Sequence, residues 1–397
     1  MTIATVPWST AEELLAEVTA LESSNRAACA DLDQLRRLPD SVVADMVRLG
    51  VYRLAIPRQF DGFEVDPLAQ TRVVEELSRH DGSIGWCAMI SIAASYAGGF
   101  FPDDPGKAWF SDPRFCIAGQ IAPNGRAQRV DGGYVVSGRY AFGSGSDHAS
   151  LMLAGCVVFD GDTPVQRPKG GPATIVAAFP KASCTIVDTW HTTGLVGTAS
   201  NDYVVEGLFV PEHHTYDSLG PARHEGDLYR YPPLFLCSHI GVPLGIARAA
   251  IETVMGLTDH KDLFPGAHRT NTPGRLLRDD TRAQEAIARA EGMLGAARAY
   301  AYGNLGEIWD ALLAGGTPSR RQRALYRIMM TQVHEMGREV VTAMYNTASG
   351  SAIYRSSPLD RQLRDIHTAC QHRMVNQKIY QPAGRVLLGM PSNDPFV

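Results

Sequence analysis

The chain has 397 residues, 45% apolar and 20% charged, which at roughly 100 to 200 residues per domain describes a folded protein of two or three domains and excludes a disordered tail or a fibre. Lys and Arg number 37 against 42 Asp and Glu, a formal charge of −5, so no overall positive field draws nucleic acid or an acidic membrane, and small-molecule chemistry is the better starting point. The seven Cys residues stand singly, without a CxxC pair, as expected of reduced thiols in a cytoplasmic protein.

The opening MTIATVPWSTAEELLAEV lacks a basic stretch followed by an apolar core, so no secretory signal is expected. From Ser9 to about Asp112 the pattern is helical. Ser9 is the predicted N-cap of TAEELLAEV, whose first-turn acids suit the helix dipole. Pro39 opens DSVVADMVRLG, which stops at Gly50, and an amphipathic helix runs from Leu68 to His80. Ile84 to Phe101 is read as the richest apolar stretch, a buried helix broken by Ser91, Ser95, Gly98 and Gly99; no stretch is expected to reach the roughly 20 apolar residues of a membrane span.

From Phe115 short β-rich runs alternate with Gly and Pro: FCIAGQI, YVVSGRYAF after the turn Asp131–Gly133, LMLAGCVVF, ATIVAAF, CTIVDTW and YVVEGLFVP. They predict a small barrel or sandwich of about 100 residues. After Pro233 the helical period returns, with Ile240, Leu244, Ala247, Ile251 and Val254 on one face and Ile287, Leu294, Ala301, Leu305, Ile308 and Leu312 on another. Two further helices, Pro318 to Ser349 and Leu359 to about Leu388, complete a four-helix bundle. The fold class is α+β, with a helical domain over 1–113, a β-barrel over 114–222 and a four-helix bundle over 223–397.

There is no GxGxxG after a strand, no GxxxxGK[ST], no HExxH and no GxSxG. His213 and His214 offer a weak metal pair against the plainer reading of a solvated turn. GRYAFGSGSDHA ends a strand in Phe142 followed by Ser144 between glycines, where a flat ligand could rest; the plain alternative is a Gly/Ser turn. DTWHTTGLVGTASNDYVVEGLFVP carries Trp190 and then Thr, Gly and Ser ahead of a strand, a source of backbone donors for a polar ring edge or a phosphate. His372 is placed on the last helix, with Thr368 and Ala369 on its face and His367 about 140° round it, so the two histidines do not chelate one metal. A lone helical His is usually structural, yet it is also the side chain that titrates near neutrality.

Helical domain, barrel and bundle in that order, with GRYAFGSGSDHA in the barrel, GLVGTASNDYVVEGLFVP ahead of the bundle and SPLDRQLRDIHTACQH in the last helix, resemble the acyl-CoA dehydrogenase superfamily over nearly the whole chain. The dehydrogenases of that superfamily need a carboxylate to remove a proton alpha to a thioester. Their usual Glu position, nine residues after Arg364, is here Arg373, and the alternative position, eight residues before Pro243, is Phe235. The resemblance therefore points to the branch of flavin-dependent monooxygenase components of two-component systems. It implies reduced FMN or FAD from a separate NAD(P)H flavin reductase by diffusion, O2 as co-substrate, no metal, and a flavin hydroperoxide that hydroxylates a small aromatic or heteroaromatic substrate of phenol or indole type.

On that resemblance His372 and Ser144 are the catalytic pair. His372 supports the oxygen adduct or deprotonates the substrate, and Ser144 bonds the flavin edge. Phe142, Gly145, Trp190, Thr193, Thr198, Arg269, Ser349 and Gly350 are assigned to the flavin, and Trp86 and Gln120 to the substrate, with Trp86, Phe142 and Trp190 excluding water. A homotetramer is implied, with the flavin phosphate meeting a neighbouring subunit. Two alternatives stay open: a dehydrogenase with an unusual base, and a noncatalytic scaffold of the same fold.

Overall fold

The computed structural model describes residues 6–112, 114–168, 170–218, 220–261, 263, 276–392, 394 and 397. The chain opens with helices α1 (Ala11–Ala20), α2 (Glu22–Ala28), α3 (Leu32–Leu35), α4 (Asp40–Arg48), α5 (Pro67–His80), α6 (Gly82–Ser95) and α7 (Asp103–Phe110). Thr10, not Ser9, caps α1: its hydroxyl accepts from Glu13 N while the Glu13 carboxylate reaches back to the cap, a reciprocal capping box that position 9 is one residue too early to close.

The middle of the chain is one sheet: β1 (Ile117–Val130), β2 (Gly133–Tyr140), β3 (Leu151–Asp160), β4 (Thr163–Pro164), β5 (Thr174–Pro180), β6 (Thr185–Val187), β7 (Asp202–Pro211) and β8 (Thr215–Tyr216). Its order is β6-β7-β2-β1-β3-β5-β8, with β4 on β3. The end strands β6 and β8 are not paired with each other among the described residues, so the expected barrel surrounds one core without a closed hydrogen-bond ladder. Strands β1 and β3 run parallel with a register shift between Gln120 and Gly125, and the other pairs are antiparallel.

A 3-10 run over Pro232–Ile240 leads into α8 (Gly241–Leu257), followed by α9 (Thr281–Leu313), α10 (Arg320–Ala348), α11 (Pro358–Ala369) and α12 (Tyr380–Leu387). The last predicted helix is therefore two. Helix α11 stops at Ala369, and His372 lies outside it with extended backbone (φ −62°, ψ 135°), capping a 3-10 turn over Arg373–Val375. The most membrane-like stretch is Pro232–Leu257 rather than Ile84–Phe101; it is long and apolar enough to span a bilayer, but 89% of its window is buried in the protein.

One apolar core joins α5 and α6 to the bundle, with Val73, Val74 and Leu77 packed among Ile240, Leu244, Ala247 and Ile251. The sheet has its own core around Tyr140, Met152, Ala154 and Tyr203. Helices α5 and α8 approach so closely that a Cβ on Gly245 would fall 2.1 Å from Glu75 O and 2.6 Å from the Ser78 Cβ. Gly245→Ala should therefore destabilise the fold by about 1 to 3 kcal/mol despite alanine's better helix propensity. Urea denaturation measures this, and an unchanged midpoint would mean that the α5–α8 contact yields freely.

Candidate active site

Two turns at one end of the sheet build the first wall. Strand β2 leaves the sheet at Tyr140 and β7 enters it opposite, at Tyr203, so the segments beyond them run side by side: Gly143 N donates to Asn201 O and Gly145 N to Thr198 O. Phe142, Leu195 and Ala199 all have left-handed backbones (φ 61°, 51° and 43°), a conformation uncommon for non-glycine residues. The Phe142 ring is 65% exposed and meets the half-buried Trp190 ring edge-on, 6.2 Å between centroids. Trp190 is fixed by its indole N–H to Leu195 O (2.9 Å) and its backbone N–H to Asn201 Oδ1 (2.9 Å).

Behind this aromatic pair runs a row of buried hydroxyls. Thr198 Oγ1 lies 2.7 Å from Leu195 O, Ser200 Oγ 2.7 Å from Thr198 Oγ1, and Ser144 Oγ 2.6 Å from Ser200 Oγ. A carbonyl oxygen only accepts, so Thr198 donates to Leu195, Ser200 must donate to Thr198, and Ser144 must donate to Ser200. Trp86, on α6, donates its indole N–H to Ser144 Oγ at 3.1 Å. The Ser144 proton is thus committed inside the protein, and its remaining lone pair can only accept.

The second wall is a row of imidazoles. His334 on α10 has Nδ1 2.7 Å from Met330 O; its Nε2 is 3.0 Å from Nδ1 of His239, the penultimate residue of the 3-10 run; His239 Nε2 is 3.0 Å from His372 Nδ1. The Met330 carbonyl again sets the polarity: His334 donates to it from Nδ1, His239 donates from Nδ1 to His334, and His372 donates from Nδ1 to His239. Met374 N–H also faces His372 Nδ1, but at 3.4 Å it is too long to compete. His372 is left with a bare lone pair on Nε2. Trp86 packs edge-on against His239 and His372, at 5.3 and 5.6 Å, and so joins the hydroxyl row to the imidazole row.

Burial lowers the pKa of all three histidines, to about 4 for His372 and about 3 for His334. For His372 the nearby charge of Arg327 adds to burial. All three rings are therefore neutral near pH 7, as the tautomer chain requires.

Helix α11 clamps the turn that carries Thr198 and Ser200. Leu195 N donates to Asp365 Oδ1 at 2.6 Å, Arg364 reaches Thr193 O, and a Cβ on Gly194 would sit 2.0 Å from Arg364 O, so only glycine allows the approach. Asp365 is buried beside Asp81, which caps α6 through Ser83 N and receives Arg361 at 3.4 Å. Burial and the Asp81 charge raise the Asp365 pKa to about 8.

Of the sequence-stated residues, Phe142, Ser144, Gly145, Trp190 and Thr198 gather on the first wall, and Trp86 and His372 meet them from the second. Thr193 enters only through its carbonyl. Gln120 is not free: its side-chain amide is bonded to Ala141 O and to Asn124, bracing the turn before Phe142. Ser349 and Gly350 are exposed at the end of α10, and no contact described ties them to the two walls. Arg269 lies outside the described residues. His214 packs on Trp109 at 4.4 Å, and among the described residues no group of three His, Cys, Asp or Glu is arranged to hold a metal. His239, His334 and Ser200 were not singled out from sequence; a His in the apolar run PLFLCSHIG was the available signal.

The exposed Phe142 ring beside Trp190, backed by hydroxyls with one open lone pair, suits a flat heteroaromatic ring with a polar edge. Profiles of the acyl-CoA dehydrogenase N-terminal domain and C-terminal domain match residues 10–99 and 237–377. An indole-3-acetate monooxygenase of Pseudomonas putida is 30% identical over 92% of this chain and 91% of its own length. The flavin-dependent monooxygenase oxygenase subunit HsaA of Rhodococcus jostii is 29% identical over 95% of this chain and 99% of its own. The crystal structure of the 3-HSA hydroxylase from Rhodococcus sp. RHA1 superposes with a TM-score of 0.86 at 26% identity, covering 97% of this chain and 99% of that one. The chain belongs to the acyl-CoA dehydrogenase superfamily, in its branch of flavin-dependent monooxygenase oxygenase components.

The carboxyl pair makes a pH prediction. Asp365 has a folded pKa raised from 3.8 to about 8, so its proton stabilises the fold fully below about pH 4, and that contribution is lost as pH rises toward 8. Asp365→Asn keeps an acceptor for Leu195 N–H and cannot ionise. Its melting temperature should match the parent's near pH 4.5 and exceed it increasingly up to pH 8; an equal difference at both pH values would show that Asp365 does not bind the proton.

Proposed function

We propose that the chain is the oxygenase component of a two-component system that inserts one atom of O2 into a small aromatic or heteroaromatic substrate of phenol or indole type, the other atom leaving as water. Reduced FMN or FAD, delivered by diffusion from a separate NAD(P)H flavin reductase, supplies oxygen in electrophilic form when bound. Phe142 and Trp190 seat the ring system. The accept-only lone pair of Ser144 suits reduced flavin, whose central edge carries an N–H that oxidised flavin lacks. In this reading Gly145, Thr193 and Thr198 complete the cradle, while Arg269, Ser349 and Gly350 serve the phosphate end across subunits of a cytoplasmic homotetramer. The three-domain division at 113 and 222 belongs to the same reading.

The observation that carries the proposal is the His372 ring, packed on Trp86 at the end of an oriented imidazole row that uses its Nδ1–H and leaves Nε2 with a bare lone pair. It accepts the proton of the substrate O–H or N–H, which makes the ring carbon electron-rich as oxygen is transferred. The charge gained at His372 is steadied by its Nδ1–H bond to His239, which His334 holds in the accepting tautomer; burial depresses the inner rings further, so the cation stays on His372. Phe235 and Arg373, where a dehydrogenase would hold its carboxylate, offer no base for a thioester α-proton.

The purified protein mixed with chemically reduced flavin and O2 should hydroxylate members of a phenol and indole panel; hydrogen peroxide alone with every substrate would overturn the proposal. His372→Ala should lower product formation about 10² to 10⁴-fold with little change in reduced-flavin binding, and His239→Phe should give a smaller loss by freeing the His372 tautomer. Because His372 stays neutral down to about pH 4, the parent's product yield should show no His372 limb between pH 5.5 and 8. Full activity of both variants would return the imidazole row to a packing role.

Ser144→Ala removes one neutral hydrogen bond, worth about 0.5 to 1.5 kcal/mol. Its preference for reduced over oxidised flavin should narrow by roughly two- to tenfold in anaerobic titrations. Less substrate should be hydroxylated per flavin oxidised. Unchanged preference and coupling would leave Ser144 as a turn residue.

A further inference from the structure

Among the described residues, nine buried side-chain N and O atoms lack a hydrogen-bond partner, and six of them belong to two neighbouring segments. They are Tyr231 Oη and Ser238 Oγ in and before the 3-10 run, and Arg323 Nε, Tyr326 Oη, Arg327 Nε and Thr331 Oγ1 on α10. Arg323, Arg327 and Thr331 are spaced i, i+4, i+8, so they share a helix face, and His334 continues it one turn further. The Tyr231 hydroxyl lies in the field of both arginines, and Tyr326 in that of Tyr231 and Arg327.

Arg327 is 4% exposed. Its Nη2 donates to Met374 O at 2.9 Å and its Nη1 faces Met330 Sδ at 3.2 Å, while no carboxylate among the described residues lies within ion-pair reach; Asp394 acts on it only from further off. Taking a guanidinium out of water without a close counter-charge, amid hydroxyls that also lack partners, is costly in any fold. An anion completing the cluster would offset that cost. The cluster adjoins the proposed site: Met374 is two residues beyond His372, and the Arg327 charge reaches both His372 and His239.

Resting on the oxygenase reading above, we propose that Arg327, Tyr231 and Tyr326 receive the side-chain carboxylate of an aromatic acid whose ring lies against the packed Trp86–His372 pair. The free Nε–H of Arg327 and the two phenol hydroxyls supply donors for the carboxylate lone pairs, and burial excludes competing water. The arrangement also couples binding to chemistry. A bound carboxylate offsets the Arg327 charge, which otherwise weakens His372 as a base, so the imidazole gains proton affinity only with an acid substrate in place.

The test uses flavin-free protein, with indole-3-acetate and its uncharged analogue indole-3-acetamide as probes, and calorimetry as the readout. The acid should bind at least tenfold tighter than the amide. Arg327→Met should bring the ratio close to one, Arg327→Lys should keep part of it, and Tyr231→Phe, which leaves the buried charge in place, should lower it severalfold and keeps the test decisive if Arg327→Met does not fold. Equal binding of the two probes by the parent, or an unchanged ratio in Tyr231→Phe and Arg327→Met, overturns the proposal and leaves the cluster filled by water. Neither flavin nor O2 takes part, so these outcomes are separate from the oxygenase reading, which fails only if no aromatic substrate is hydroxylated.

Discussion

The 3.1 Å hydrogen bond from the Trp86 indole to Ser144 is the joint on which the site depends. On one side of it the hydroxyls of Ser144, Ser200 and Thr198 run to the Leu195 carbonyl. On the other, the Trp86 ring lies against the imidazoles of His372 and His239, whose row ends on the Met330 carbonyl. Both rows are anchored on groups that only accept, so every proton in them has one available place. The first row is left with an accepting hydroxyl lone pair on Ser144 and the second with a bare imidazole nitrogen on His372. Removing the indole N–H would take away a donor to Ser144 Oγ and would loosen the packing that holds His372.

The scaffold is built to keep these rows in register. Trp86 rides on α6, whose first turn is capped by Asp81; the hydroxyl row sits in a turn clamped by Asp365; and Asp81 and Asp365 lie together under Arg361. One buried carboxyl pair therefore ties the helix that carries the indole to the turn that carries the hydroxyls. The left-handed backbones of Phe142, Leu195 and Ala199 fall at this same place, a concentration of strain that the clamp and the paired turns hold.

The first wall was legible from the sequence because strand, aromatic and Gly-flanked serine are consecutive in GRYAFGSGSDHA, so local order is also spatial order. The order of domains was legible from the switch in hydrophobic period. The second wall was not. His239, His334 and His372 come from three elements separated by 95 and 38 positions, and nothing local marks an imidazole in an apolar helix as one link in a row. The helical placement of His372 failed for a related reason: the sequence past Ala369 has no strong breaker, while the segment after it is held by tertiary contacts from distant residues, His239 on His372 and Arg327 on Met374 O. The Ser144 hydroxyl is legible as a residue but not as a donor or acceptor, since that role is set by Ser200 and Thr198, more than fifty residues away.

The choice of imidazoles over a carboxylate at this place has a physical basis. A carboxylate base is charged while idle, and its burial next to an apolar indole would call for a permanent counter-charge. Three neutral imidazoles carry no net charge at rest, so their desolvation opposes folding far less, yet the row orients His372 to take a proton at Nε2 and steadies it through the Nδ1–H bond to His239. Burial depresses the proton affinity of His372, which keeps the lone pair available across neutral pH but weakens it as a base. A site of this kind works best with a substrate whose own acidity rises as the reaction proceeds, as that of a phenol or an indole N–H does when oxygen bonds to the ring. A thioester α-carbon has no such assistance until its proton has gone, and it needs the stronger base that Phe235 and Arg373 do not supply.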